Sequence, residues 1–380
     1  MEPIYFDHAA TTRVLPEAAQ AALRAMTEDY GNPSSLYALG TRAAKALAAH
    51  REAVAQALGC QAGEVIFTSG GTEGDNWAIS LAAHLGRHRG KHIITTAVEH
   101  AAVLEPCKAL EAQGYQVTYL TPGPDGRVKV SDLEAALRPD TVLVSMMLVN
   151  NETGAIQPVK EAGQVLKRCR SQALLHTDAI QGFLKIPFTP KALGVDLLTV
   201  SGHKIGAMKG SGALYLRAGL RAVPLLRGGG QEKGLRSGTE PTPQIAALAA
   251  ACTLGKAALE DHQTYLTHLK TYALAAFQKA VPGLVVVAAG DAPHICAISL
   301  PGYPSQVVVR WLSDQGFCLS AGSACHRGQA SHVYAAMGLS KPVRDGMLRV
   351  SFGPENTQEE VDRLAQALGT ATQVLLPAGR

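Results

Sequence analysis

Ser201-Gly202-His203-Lys204 stands between two short apolar runs, residues 197–200 and 213–216. Each run has the length and composition of a buried strand, and the residues between them are rich in glycine. A lysine leaving the end of a buried strand is placed where a cofactor could meet it. Burial disfavours the ammonium form, and a neutral amine is what a Schiff base with an aldehyde requires. One lysine taken alone is more simply read as solvated on a hairpin loop, so the other strand ends must decide. The run 64–68 leads into Ser69-Gly70-Gly71-Thr72-Glu73. Small residues at a helix N-terminus expose backbone N–H groups that suit a phosphate, although such turns also serve as plain caps. The run 173–177 leads into Asp178-Ala179-Ile180-Gln181. The carboxylate could hold a protonated ring nitrogen and the glutamine could reach a ring substituent, whereas an isolated Asp is more often an N-cap. The run 141–149 leads into Asn150-Asn151-Glu152-Thr153-Gly154, and 92–96 into Ala97-Val98-Glu99-His100. That imidazole could stack on a flat cofactor or be solvated in its loop. Together with Lys204 these groups match the needs of pyridoxal phosphate: a Schiff-base lysine, an acid for the ring nitrogen and a phosphate cradle.

The elements that must position them follow from the pattern. Residues 1–15 read as an irregular arm. Pro16 opens a helix to about residue 30, stopped by Gly31-Asn32-Pro33, and an Ala-rich helix spans 41–58, ended by Gly59. Strand and helix signals then alternate: strands at 64–68, 92–96, 116–120, 141–149 and 173–177, helices at 72–85, 101–113, 131–137 and 159–169. Ser131-x-x-Glu134 has the form of a capping box. This alternation predicts an α/β protein with a mostly parallel sheet covered by helices on both faces, and ligands beyond the carboxyl ends of its strands. A long helical region, 243–280, leaves this unit. Strands at 284–288, 295–300, 317–320 and 348–352, with helices at 306–314, 331–337 and 357–374, predict a smaller α+β unit. The expected division is an N-terminal arm of the small domain (1–15), a large domain (16–255) and a small C-terminal domain (256–380).

The chain has 380 residues, long enough for two cores, and 47% hydrophobic with 17% charged residues suits a compact protein. A net charge of +4 without a run of Lys and Arg gives no nucleic-acid or membrane surface. Glu2 and Asp7 interrupt the first ten residues, so a signal peptide is not expected, and no apolar stretch reaches membrane-spanning length. Seven scattered cysteines without a C-x-x-C pair point to reduced thiols in a cytoplasm and to no metal site.

In these motifs the sequence resembles the cysteine desulfurases, a branch of the class V aminotransferases among the pyridoxal-phosphate enzymes of aspartate aminotransferase-type fold (fold type I). The resemblance rests on residues 7–12, 31–35, 69–76, 99–100, 150–154, 178–181, 201–204, 236–239, 322–325 and 349–353, so it covers essentially the whole chain. It implies that Lys204 forms the Schiff base, that Asp178 pairs with the ring nitrogen and Gln181 with the ring hydroxyl, and that His100 stacks on the ring and serves as acid or base. It implies a phosphate site from Gly71, Thr72, Ser201 and His203, with Thr239 supplied by the other subunit of a homodimer with shared active sites. Asn32, Asn151 and Arg349 would hold the substrate carboxylate, Asn151 also facing the cofactor. A planar guanidinium suits that task because it binds a carboxylate through two hydrogen bonds.

Cys325 separates this family from its relatives. It lies in Gly322-Ser323-Ala324-Cys325-His326-Arg327, where neighbouring positive charge favours thiolate, while Cys60, Cys252, Cys296 and Cys318 fit a buried apolar role. The resemblance implies that the Cys325 thiolate takes sulfur from L-cysteine as a persulfide, leaving alanine, and passes it to an acceptor protein (a scaffold or a tRNA-thiolation enzyme), with iron–sulfur clusters, thiolated tRNA and a thio-cofactor as open destinations. The chain departs from the family's pattern at His8, where Asn is common, and in a slightly shorter stretch after Cys325. Competing readings are a selenocysteine lyase, another class V aminotransferase that would not need Cys325, and a non-catalytic sulfur-transfer scaffold. The scaffold reading sits poorly with the presence of both Lys204 and Asp178.

Overall fold

The computed structural model describes residues 3–288, 290–321 and 331–377. In chain order the first part comprises β1 (Ile4–Tyr5), α1 (Pro16–Thr27), α2 (Ala38–Leu58), β2 (Val65–Thr68), α3 (Gly71–Gly86), β3 (His92–Thr96), α4 (Ala101–Glu111), β4 (Gln116–Leu120), α5 (Val130–Ala136), β5 (Thr141–Ser145) and α6 (Val159–Arg168). There follow β6 (Leu174–Asp178), α7 (Pro190–Leu193), β7 (Leu197–Ser201), β8 (Gly212–Leu216), α8 (Thr242–Ala257) and α9 (Leu259–Ala280). The last part holds β9 (Val285–Ala288), β10 (Ile295–Ser299), α10 (Ser305–Asp314), β11 (Phe317–Cys318), α11 (His332–Ala336), α12 (Lys341–Asp345), β12 (Met347–Ser351) and α13 (Gln358–Val374).

Seven strands form one sheet in the order β2-β8-β7-β6-β5-β3-β4. The pairs from β7 to β4 are parallel, and β8 runs antiparallel to both its neighbours. Alternate side chains serve two cores. Ile66, Ile93, Leu197 and Leu214 pack with α3 and α4 on one face, while Phe67, Ile94, Leu198 and Ala213 pack with α2, α6 and α8 on the other. Such near-continuous apolar strands are what burial on both faces demands. The expected mostly parallel, doubly covered α/β sheet is therefore present. The strand expected over 141–149 stops at Ser145, although the Met146 and Leu148 amides still donate to the His176 and Asp178 carbonyls of β6 before Val149 bridges Ile156. Ser131 is not an N-cap: the helix already runs from Val130, Lys129 occupies the cap, and the Ser131 hydroxyl faces Asp132.

The helical region expected over 243–280 is two helices broken at Ala258. Leu248 and Cys252 of α8 belong to the large-sheet core, whereas Leu266, Leu269, Ala273 and Phe277 of α9 pack with α13, β10 and β12. That second core lies behind an antiparallel sheet, β12-β10-β9. The N-terminal arm joins it: β1 pairs with β11, and Phe6 meets Phe352 edge-on at 5.9 Å. A capping box formed by Thr357 and Glu360 starts α13. The strand expected over 317–320 keeps two residues, with Ser320 bridging Arg349 separately.

One close approach fixes where α3 begins relative to the sheet. A Cβ on Gly74 would lie 2.5 Å from the Thr199 methyl of β7. Gly74→Val is therefore expected to cost about 1–3 kcal/mol of unfolding free energy through overpacking. A urea midpoint equal to that of the parent protein would show that α3 does not lie this close to β7.

Candidate active site

At the carboxyl ends of the parallel strands lies a cavity of ≈ 260 Å³. Clefts of larger volume lie elsewhere, one of ≈ 660 Å³ around Arg89 and Arg138. What singles out the smaller cavity is convergence of chemically distinct groups. Lys204, His203 and Ser201 reach it from the end of β7, Asp178 and Gln181 from the end of β6, and Gly71 and Thr72 from the start of α3. His100, Asn151 and Arg349 complete the set of sequence-derived residues that line it. Asn32 and Thr239 are exposed and do not line it. Cys325 lies outside the described residues.

Lys204 ends a short 3₁₀ turn after β7, and its ammonium donates to the carbonyls of Ala9 and Ala10, both at 2.7 Å. Those carbonyls belong to the arm, which is fastened beside the lysine. Thr12 donates to the His203 carbonyl at 3.0 Å and accepts from the Gly206 amide at 2.8 Å, and Tyr5 donates to the Thr11 carbonyl at 2.9 Å. His203 contacts the Thr11 hydroxyl at 3.2 Å, and burial followed by the charges of Lys204 and Lys209 pushes it down to about 4, so it is neutral.

Arg349 is 1% exposed. It donates to Asp7 at 2.7 Å and to the Asn151 carbonyl at 2.9 Å, while the Ser320 hydroxyl donates to Asp7 at 2.9 Å. The guanidinium thus faces the cavity with its orientation set by the arm. His100 caps α4, its Nδ1 accepting from the Ala102 amide at 3.1 Å. This leaves Nε2 as the protonated nitrogen of the neutral ring. At the opposite side, Gly70 takes φ 149°, open to glycine alone, and turns the chain from β2 into α3. The first N–H groups of a 16-residue helix then face the cavity beside Thr72.

Asp178 is no helix cap, for no described helix starts there; its Oδ1 accepts from the Ile180 amide at 2.9 Å. Burial and then the charge of Asp75 push its carboxyl up to about 7. Asp75 and His176 were not singled out by the sequence. Asp75 reads as an acidic residue in a helix's first turn and His176 as a strand interior position. Only the packing of α3 on β6 and β7 brings them together. Both are fully buried, with His176 Nε2 at 3.5 Å from Asp75 Oδ1. His176 also contacts Ser145 at 2.9 Å and Thr199 at 3.2 Å, and burial holds it neutral at about 4. Asp75 has no hydrogen bond of good geometry, and burial pushes it up to about 7. Glu99, which accepts from the Met147 amide and the Thr96 hydroxyl at 2.8 Å, is raised well above the carboxylate range by burial. The base of the cavity is a low-dielectric, carboxylate-rich floor that favours a cation against Asp178.

Among the described residues no group of His, Cys, Asp and Glu could hold a metal ion, and no helix is long and apolar enough to cross a membrane.

The family model for class V aminotransferases matches residues 4–364, and the chain belongs to that family. Within it, the chain is 40% identical over 390 residues to "Cysteine desulfurase IscS" of Methanosarcina thermophila, covering 98% of this chain and 92% of the relative. Among solved structures, a "NIFS-LIKE PROTEIN" is 35% identical with a TM-score of 0.93, over 98% of this chain and all of that one. The structure titled "SspA in complex with cysteine" is 33% identical with a TM-score of 0.80, over 93% of this chain.

The buried carboxyls make a pH prediction. An unfolded aspartate titrates near about 4. A folded value of about 7 means that the native state holds a proton the unfolded chain has lost. Native stability contributed by Asp75 is therefore lost as pH rises through that window. Asp75→Asn in ligand-free protein should lose less stability between pH 5 and pH 8 than the parent, by on the order of 1–3 kcal/mol. Parallel urea-denaturation profiles at the two pH values would refute the assignment.

Proposed function

We infer that this chain is a cysteine desulfurase that works with pyridoxal 5′-phosphate. The observation that carries the reading is one cavity lined by Lys204, by the buried carboxyl of Asp178 and by the buried guanidinium of Arg349. The residues fit that cofactor. A carboxyl raised by burial gains most from a cationic ring nitrogen, and the Gly70–Gly71 turn beside the N-terminus of α3 leaves room for a phosphate. Lys204 is the amine for the aldehyde, and Thr72, Ser201 and His203 are the side chains for the phosphate. When bound, the cofactor supplies an electron sink for bonds at the amino acid's α-carbon.

The protein's own groups then divide the work. Arg349, held by Asp7, orients the carboxylate of L-cysteine through its planar fork, with Asn151 beside it. Gln181 would donate its second amide N–H to the ring oxygen. His100 would stack on the ring and, with Lys204, would hold or move the substrate's proton. The acceptor thiol is Cys325: an S–S bond forms to the substrate sulfur as its carbon–sulfur bond breaks, and alanine is the other product. Sulfur then passes from Cys325 to an acceptor protein. Four of the described cysteines are poor alternatives. Burial pushes Cys107 and Cys296 up to about 12, and likewise raises Cys252, so none is a ready thiolate. Cys169 is exposed, but it follows α6 at the amino-terminal side of β6, away from the cavity.

Two measurements test this reading. Lys204→Ala should abolish borohydride-fixed cofactor and all turnover. Cys325→Ala should retain cofactor bound at Lys204 while losing persulfide and at least about 100-fold of alanine release, because one whole step is removed. Cofactor fixed on another lysine, or normal turnover without Cys325, would refute the roles assigned.

A homodimer with shared sites is part of the proposal. Thr239 is exposed outside the chain's own cavity, on a segment anchored by Arg236 to Glu73 at 2.9 Å, a position suited to a neighbouring subunit's phosphate site. Light scattering should give twice the chain mass, and Thr239→Ala should raise the cofactor's dissociation constant about 5-fold, in line with loss of one hydrogen bond. A fully active monomer would overturn it.

A further inference from the structure

Behind Gln181 lies a buried histidine that neither the sequence motifs nor the roles above use. His294 is 1% exposed, just before β10, with Nε2 at 3.3 Å from Gln181 Oε1. The arm settles which way the glutamine amide points. Gln181 Nε2 donates to the Ala9 carbonyl at 2.9 Å, and the same carbonyl accepts from Lys204 at 2.7 Å. A carbonyl accepts and cannot donate, so the flipped amide would set two oxygens against each other. Gln181 Oε1 must therefore face His294, whose Nε2 must carry a hydrogen.

The second ring nitrogen is consistent with this tautomer. His294 Nδ1 is buried without a partner, which costs less for a bare lone pair than for a stranded N–H. The ring's surroundings keep it from taking a second proton. Burial comes first, and then groups that oppose a second proton face it from the neighbouring elements: the cationic side chains Lys185 after β6, Lys270 of α9 and Arg349 of β12, and His8 of the arm, itself lowered by burial. Lys270 is turned toward the Gly290 and Ala292 carbonyls, and Glu355 lies nearest His8 at 3.6 Å.

We propose that His294 is a positioning residue for Gln181: its Nε2–H holds Oε1 while the Ala9 carbonyl holds one N–H, and the two contacts together lock the amide so that the other N–H, and not the carbonyl, remains for an oxygen in the cavity. That donor stabilises the ionised form of the cofactor's ring oxygen. Because β10 belongs to the second core and Gln181 follows a strand of the first, the contact also links the two halves of the chain at the floor of the cavity.

The inference rests on the cofactor reading above, and the experiment separates the two. In cofactor-free protein, ¹⁵N NMR should show His294 with Nε2 protonated and Nδ1 bare from pH 6 to pH 9. An Nδ1–H tautomer or an imidazolium overturns the inference whatever the cofactor does. In protein loaded with pyridoxal phosphate, His294→Leu should raise the midpoint of the pH-dependent visible absorption by about one unit, since the ionised oxygen loses its oriented donor. His294→Asn, which keeps a donor, should return the midpoint toward that of the parent. A His294→Leu protein with a lower unfolding temperature but an unmoved spectral midpoint would show a structural role only and overturn the proposal. If the parent gives no bound absorption band, the cofactor reading falls, and the proposed role falls with it.

Discussion

The site depends on an N-terminal arm held down by a buried ion pair. Asp7 takes Arg349 at 2.7 Å, and within five residues the same arm supplies the carbonyls of Ala9 and Ala10 to Lys204 and the Thr12 hydroxyl to the turn after β7. A guanidinium that is 1% exposed is costly unless its partner and its remaining hydrogens are satisfied. Here Asp7 and the Asn151 carbonyl take hydrogens of the two terminal nitrogens and Ser320 donates to Asp7, while Nε is buried without a partner. Removing either Asp7 or Arg349 leaves the other's charge uncompensated at the cavity's wall. The arm therefore sets the orientation of the guanidinium and of the lysine that line the cavity.

Charge is graded across the cavity. Its floor carries Asp178 backed by Asp75 and Glu99, all raised by burial, with neutral His176 between sheet and helix. Its upper wall carries Lys204 and Arg349, and one end is the N-terminus of α3. A zwitterionic ring with a cationic nitrogen and an anionic phosphate fits that gradient in one orientation. The same low dielectric that makes each lone carboxylate expensive makes its attraction for a cation strong. The floor thus favours a cationic ligand while subtracting from the stability of the ligand-free protein above neutral pH.

Much of this was legible in the chain. Alternating apolar runs of four or five residues and helical stretches gave the doubly covered sheet, because burial on both faces leaves a continuous hydrophobic signature. Ser69–Glu73, Asp178, Gln181, His100 and Ser201–Lys204 stood out because each follows a strand, where polar residues have no packing role. The hairpin reading of residues 197–216 already implied an antiparallel β8, but its second antiparallel partner, β2, was not legible, since strand order leaves no mark on a five-residue apolar run. The break at Ala258 carried no glycine or proline, and the Ser131 capping pattern gave way to a helix that had already begun at Val130.

The sequence by itself determined which residue types arrive at the strand ends, and with them the family and the cofactor chemistry they suit. Only the tertiary structure decided what stands behind those residues. Asp75 and His176 are 101 positions apart, Gln181 and His294 are 113 apart, and Asp7 and Arg349 are 342 apart. Such pairs form by packing of α3 on the sheet, of β10 against the end of β6, and of the arm against β12. No local periodicity encodes them, because a buried charge or imidazole acquires its proton state from neighbours that only folding brings within hydrogen-bonding distance.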